Sequence, residues 1–318
     1  MRNRICPSVL EAIGETPLIA LNRLRPVDGA QVLLKLEYYA PGGSIKDRIA
    51  LQILEDAERA GRLKPGDVVV ELTSGNTGIG LAIACAIKGY RMIAVMSEGN
   101  SVERRRLLEA FGAEVVLVPQ AGSSEPGKVS GEDLQRVEQK AQELTRKLKA
   151  FRADQFNNPS NARAHELGTG REIWEQTEGR VNAFVASVGT GGSFVGIARA
   201  LKARSPAVRC YVVEPETAPY FSQGRITNPR HRIQGTGYGI YPAFWDESLV
   251  DGYLTVSDEE AIETARRLAR REGILGGFST GANVAAALQL AARLPAEATV
   301  VTLAPDTGMK YLSTDLWP

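Results

Sequence analysis

With 318 residues, 43% of them hydrophobic and 24% charged, the chain has the composition of a folded globular protein and the length of about two domains. Its 38 Lys and Arg against 37 Asp and Glu leave a net charge of +1, which gives neither the basic excess of a nucleic-acid binder nor the acidic excess of a solvating tail. Cys6, Cys85 and Cys210 are too few and too scattered for a disulfide framework, which favours a reducing compartment. No apolar run near the N-terminus has the length of a signal peptide, and the longest apolar run, 79–87, is half a membrane span. A soluble cytoplasmic protein, with no nucleic-acid or membrane partner, is expected.

In chain order, short runs rich in β-branched residues predict strands at 32–36, 68–72, 92–96, 115–118, 183–188, 210–214 and 299–303. Most are apolar at consecutive positions, as in strands covered on both faces of a parallel sheet. After the first strand, Ile49, Ile53, Leu54 and Ala57 share one face of a helix over 47–61 that stops at Gly61. Residues 120–131, rich in Gly, Ser and Pro, predict an exposed loop, and the charged stretch 132–149 a solvated helix. Ser257 and Glu260 form a capping-box pattern that opens a helix ending at Gly273, with Ile262, Ala265, Leu268 and Ala269 inward. Strands alternating with helices give an α/β fold with parallel crossovers. A domain boundary is expected near residue 150, dividing 1–150 from 151–318, and this order allows the first strand to cross to the second domain.

Open α/β sheets bind ligands beyond the carboxyl ends of their strands. Two glycine-rich loops stand there: Thr73-Ser74-Gly75-Asn76-Thr77-Gly78 and Gly189-Thr190-Gly191-Gly192-Ser193. Each leads into an apolar helix and so offers free backbone N–H groups to an anion. Neither is a dinucleotide fingerprint, because the sixth position is Phe194 in one register and Ile83 in the other. The run Gly122-Ser123-Ser124-Glu125-Pro126-Gly127-Lys128 lacks the hydroxyl of a nucleotide P-loop, since Val129 follows. Gly277-Phe278-Ser279-Thr280-Gly281 matches the esterase nucleophile elbow. That motif needs a later histidine, and the two in this chain, His165 and His231, both precede it. They read as surface or hydrogen-bonding residues, and no His or Cys pair has metal-ligand spacing.

Pro41-Gly42-Gly43-Ser44-Ile45-Lys46-Asp47-Arg48 places a lysine at a helix start, behind glycines that let a ligand approach. The positive helix end disfavours a second positive charge, so a lysine held there is a candidate imine-forming amine. With the anion-binding loops it fits pyridoxal 5'-phosphate.

These motifs, with Ile13-Gly14-Glu15-Thr16-Pro17-Leu18, Gln155-Phe156-Asn157-Asn158-Pro159 and Asp306-Thr307-Gly308, resemble the fold-type II pyridoxal-phosphate enzymes, specifically the cysteine synthase (O-acetylserine sulfhydrylase) and cystathionine β-synthase family, over almost the whole chain. The resemblance implies a tryptophan-synthase-β-like α/β fold with two open, twisted, mostly parallel sheets flanked by helices. It implies a subdomain of about residues 90–150, including Ser97-Glu98-Gly99-Asn100-Ser101, that closes over the substrate. Lys46 is implied as the imine-forming residue and proton shuttle, Asn76 as the partner of the cofactor ring oxygen, and Gly189, Thr190, Gly191, Gly192 and Ser193 as the phosphate loop. Ser279 would face the pyridine nitrogen, while Thr73, Ser74, Thr77 and Gln155 would take the substrate α-carboxylate. The implied reaction is β-replacement through an aminoacrylate intermediate, from O-acetyl-L-serine and sulfide to L-cysteine, in a homodimer.

The match departs around the substrate. Phe278 is expected to narrow the pocket, and Tyr238 in Gly235-Thr236-Gly237-Tyr238-Gly239 puts a phenol near the expected entrance of the second substrate. The second nucleophile therefore stays open among sulfide, thiosulfate, homocysteine and other thiols or amines. Serine/threonine dehydratase activity and a non-catalytic regulatory relative are the remaining alternatives.

Overall fold

The computed structural model describes residues 5–73, 75–100, 102–122, 131–228 and 231–317. In order, the elements are β1 (Leu18–Ala20), β2 (Gln31–Leu36), α1 (Lys46–Arg59), β3 (Val68–Leu72), α2 (Asn76–Lys88), β4 (Arg91–Ser97), α3 (Val102–Ala110), β5 (Glu114–Val118), α4 (Gly131–Leu148) and β6 (Phe151–Arg152). There follow α5 (Ser160–Ala164), a π-turn (His165–Gly170), α6 (Arg171–Gln176), β7 (Ala183–Ser187), α7 (Gly192–Arg204), β8 (Arg209–Pro215), α8 (Tyr220–Gln223), β9 (Gly252–Val256), α9 (Asp258–Glu272), α10 (Phe278–Ala291) and β10 (Thr299–Ala304).

Residues 6–13 and 46–160 make one compact unit, and the other is built chiefly from 14–45 and 161–317. The first unit holds a four-stranded parallel sheet in the order β5-β4-β3-β6. The second holds six strands in the order β1-β2-β10-β7-β8-β9, parallel except for the β1–β2 pair. Each is the α/β architecture of open, mostly parallel sheets expected from the sequence.

The consecutive apolar residues have the expected cause. In the larger sheet, Ala183, Val185 and Val300 enter one buried cluster with α9 and α10, while their neighbours Phe184, Ala186 and Val301 enter another with α7. Successive strand side chains point to opposite faces, so a strand covered on both sides must be apolar at every position.

Seven strands stand where sequence patterning puts them. β1, β6 and β9 were not legible: two are only three and two residues long, and Gly252-Tyr253-Leu254-Thr255-Val256 lies at a sheet edge, mostly half-buried. The charged stretch before residue 149 does form a helix, α4, but not a wholly solvated one. Val137 and Ala141 are buried against Val70, Ile93 and Val95 of the smaller sheet, so α4 is amphipathic and closes one face. The capping box is realised, with Ser257 Oγ accepting from the Glu260 N–H at 3.1 Å. Of the loop 120–131, residues 123–130 lie outside the described residues.

Candidate active site

In both sheets the strand order reverses at one point. In the smaller unit, β4 and β5 extend from one side of β3, and the chain then returns through α4 to lay β6 on the other side. The crevice beyond the carboxyl ends of β3 and β6 is where such a fold binds ligands. Thr73 lies there just past β3, and Gln155 just past β6. Thr77 Oγ donates to Gln155 Oε1 at 2.6 Å, and Thr73 Oγ accepts from the Gly78 N–H at 2.9 Å. Thr73 and Thr77 are 5% and 4% exposed. Ser74 lies outside the described residues. Asn76 is the first residue of α2, and its N-cap is Gly75, which has no side chain to cap the helix.

Lys46 opens α1 in the same unit. Its position relative to α2 is set by Gly80, where a Cβ would stand 3.0 Å from the Lys46 carbonyl oxygen and 3.0 Å from Ala50 Cβ. A side chain there would force α1 to shift by a few tenths of an ångström. A glycine inside a helix costs about 1 kcal/mol relative to alanine, a sign in the sequence that packing needs it.

In the larger unit the reversal falls between β7 and β10. Residues 189–193 run from the loop after β7 into the first turn of α7. Gly191 is the N-cap at φ 80°, and no side chain caps the helix. Cβ atoms at Gly189 and Gly192 would fall 2.1 Å from the Gly235 carbonyl oxygen and 1.9 Å from Asn161 Oδ1. The loop is thus held from behind by protein, and Asn161 Nδ2 donates to Thr190 Oγ at 3.0 Å. α10 begins with Gly277 as N-cap, again without a side-chain cap, and Ser279, 9% exposed, lies in its first turn. Below it, Asn283 accepts from the Ser187 N–H at 2.7 Å and donates to the Leu303 carbonyl at 3.0 Å.

α2, α7 and α10 share one property: a glycine N-cap and no acidic residue in the first turn. α9 instead carries a serine cap and three acids there. Free N–H groups at a positive dipole end suit anions, and the tight glycine backing of residues 189–193 fits the phosphate of pyridoxal phosphate. Several charge-assisted N–H bonds, each worth about 1.5–3 kcal/mol, can hold a dianion without an arginine.

Sequence reasoning missed Gly80, Asn161, Asn283 and Glu71. Besides the glycine inside a helix, two of them left a signal. Asn283 is the lone amide in an otherwise apolar helix stretch, and Glu71 is the lone acid in Val68-Val69-Val70-Glu71-Leu72.

One substrate expectation changes. Phe278 is 2% exposed, its ring edge-on to Tyr311 at 5.4 Å in a cluster with Ile262, Ala265 and Leu316, so it is a core residue and does not narrow a pocket. Tyr238 is 48% exposed, and one of its ring carbons lies 3.5 Å from where a Gly189 Cβ would stand. His165 is fully buried rather than at the surface, its Nδ1 paired with Thr169 Oγ at 3.0 Å. Burial pushes the Cys85 and Cys210 thiols up to about 12, which leaves them unreactive. Among the described residues no cluster of His, Cys, Asp and Glu could hold a metal, and no helix is long and apolar enough to cross a membrane.

A family model described as pyridoxal-phosphate dependent enzyme matches residues 9–306. A cysteine synthase of Staphylococcus aureus is 44% identical over 318 residues, covering 100% of this chain and 99% of that protein. The crystal structure of O-acetyl serine sulfhydrylase isoform 3 from Entamoeba histolytica is 38% identical and superposes with a TM-score of 0.92, covering 100% of this chain and 93% of that one. An O-ureido-L-serine synthase structure is 41% identical with a TM-score of 0.90, over 98% and 95% of the two chains.

Proposed function

Because the chain belongs to the pyridoxal-phosphate-dependent enzyme family, we propose that it makes L-cysteine by β-replacement, joining sulfide to the amino-acid part of O-acetyl-L-serine. The observation that carries this reading is the pairing, on one unit, of an amine at the start of α1 with the wall of Thr73, Thr77 and Gln155. Hydroxyls, an amide and the positive end of α2 receive an α-carboxylate without placing another cation beside the lysine.

When bound, pyridoxal phosphate supplies the electron-withdrawing ring that makes the substrate Cα–H acidic and lets the Cβ substituent leave. Lys46 would carry the cofactor and, once displaced by substrate, take the Cα proton on Nζ, a general-base contribution of about 10²–10⁴-fold. Residues 189–193 would hold the phosphate, and Asn76 would orient the ring through its oxygen. Ser279, a neutral group, would face the pyridine nitrogen and leave it less protonated than a carboxylate would, favouring elimination over longer-lived carbanion chemistry. Thr73, Ser74, Thr77 and Gln155 would fix the α-carboxylate, and closure of the segment around 90–150 would exclude water. A cytoplasmic homodimer completes the reading.

The likeness to O-ureido-L-serine synthase favours one alternative, the same elimination followed by a nucleophile other than sulfide. Visible spectra of the purified holoenzyme separate the two. A band that changes on adding O-acetyl-L-serine and reverts with sulfide supports cysteine synthesis. Reversion only with homocysteine or another nucleophile supports the alternative, and a band indifferent to O-acetyl-L-serine overturns both.

A further inference from the structure

Glu71 stands in the parallel strand β3, two residues before Thr73, and is 2% exposed. An acid inside an apolar strand is costly unless its charge is spent on specific partners. Its partners come from the neighbouring strand β6 and the turn just beyond it. Arg152 donates to both carboxylate oxygens at 3.3 Å, through Nε and Nη2, and the Asp154 N–H donates to Oε2 at 2.8 Å. Arg152 Nη2 also reaches Glu138 of α4 at 2.8 Å. The next residue after Asp154 is Gln155, whose side chain accepts from Thr77. One carboxylate therefore ties the end of β3, which carries Thr73, to the turn that presents Gln155, and these are the two walls of the crevice at the strand-order reversal.

We infer that Glu71 is a positioning residue for amino-acid binding: its carboxylate fixes the spacing between the Thr73–Thr77 wall and Gln155, and so sets the affinity for the substrate α-carboxylate. This deepens the proposed function and rests on the α-carboxylate reading of those three residues. The charged groups facing Glu71 are Arg152 of β6 and the carboxylate of Asp154, with Glu138 of α4 behind Arg152. Burial raises Glu71 to about 7, more than Arg152 and the Asp154 N–H lower it, so the clamp titrates in the working range of an enzyme. The ionised form accepts all three donors. The protonated form gives an oxygen to a proton and slackens the hold on Arg152.

The test is steady-state kinetics of the holoenzyme with O-acetyl-L-serine and sulfide across pH, for wild type, Glu71→Gln and Arg152→Met. In Glu71→Gln, KM for O-acetyl-L-serine is expected to rise about tenfold with kcat changed by less than about threefold, a loss of binding rather than of chemistry. The acid limb of kcat/KM near pH 7 in wild type should vanish in Glu71→Gln and move to higher pH in Arg152→Met, which removes the cation that favours ionisation. A purely structural role would lower thermal stability without moving that limb. Active wild type with an unchanged KM and the same limb in Glu71→Gln overturns the inference. Wild type that ignores O-acetyl-L-serine overturns the proposed function instead. The clamp is then judged by amide hydrogen exchange at Gly78 and Asp154: faster exchange in Glu71→Gln sustains the tie between the walls, and unchanged exchange refutes it.

Discussion

Gly80 faces the Lys46 backbone so closely that a methyl group added at Gly80 would stand 3.0 Å from the Lys46 carbonyl oxygen. The first residue of α1 is thereby indexed to α2, whose preceding turn carries Asn76 and Thr77. Gly80→Ala gains about 1 kcal/mol of helix propensity but shifts α1 by a few tenths of an ångström. The expected outcome is a melting temperature within a few degrees of wild type and kcat/KM reduced about tenfold by displacement of the amine. An unchanged kcat/KM would mean that the contact does not index the site.

Lys46→Ala removes the candidate amine from a half-buried position at a helix start, where alanine is well tolerated. The far-UV circular dichroism should stay as in wild type, while the visible band of lysine-bound cofactor disappears and turnover falls by about 10³-fold or more. Retained turnover would exclude Lys46 as the imine-forming residue.

Asn283→Leu leaves the Ser187 N–H and the Leu303 carbonyl without the amide that now pairs them beneath the first turn of α10. Two orphaned buried backbone groups cost about 1–3 kcal/mol each. Denaturant unfolding should show a loss of about 2–6 kcal/mol, and a loss below about 1 kcal/mol would show that the bonds are replaced by solvent.

The stability of the fold should itself carry the mark of Glu71. Its folded value of about 7 lies above the ordinary 4.5, so the folded state holds a proton between those values that the unfolded state has lost. The contribution is fully present below about pH 4.5 and disappears as pH rises through about 7. Wild type measured against Glu71→Gln should therefore lose relative stability across that window and stay level above it. A relative stability that rises with pH there would place the ionised form as the better accommodated one. The ionised clamp needed for binding is then the less stable form, a cost commonly found at functional sites.

The sequence by itself determined most of the elements and the chemistry they carry. Apolar runs marked the buried strands, Ser257 and Glu260 marked a helix start, and the glycine loops at 75–78 and 189–193 marked glycine N-caps suited to anions. These are local properties, set by side-chain periodicity and by the free N–H groups of a helix's first turn. Tertiary structure decided what local pattern cannot carry. β2 pairs with β10, more than 260 positions away, and β6 lies beside β3 rather than next to β5. That order sets the points of reversal and brings Gln155 to Thr77. It also decided which buried polar groups are satisfied. Lys35, within the run predicted as an apolar strand, is fully buried with its ammonium 2.7 Å from Glu172, and Glu71 finds Arg152 across the sheet. A buried charge is tolerated only when a partner is delivered to it. The partners here are far away in sequence, so only the strand order and the helix packing could supply them.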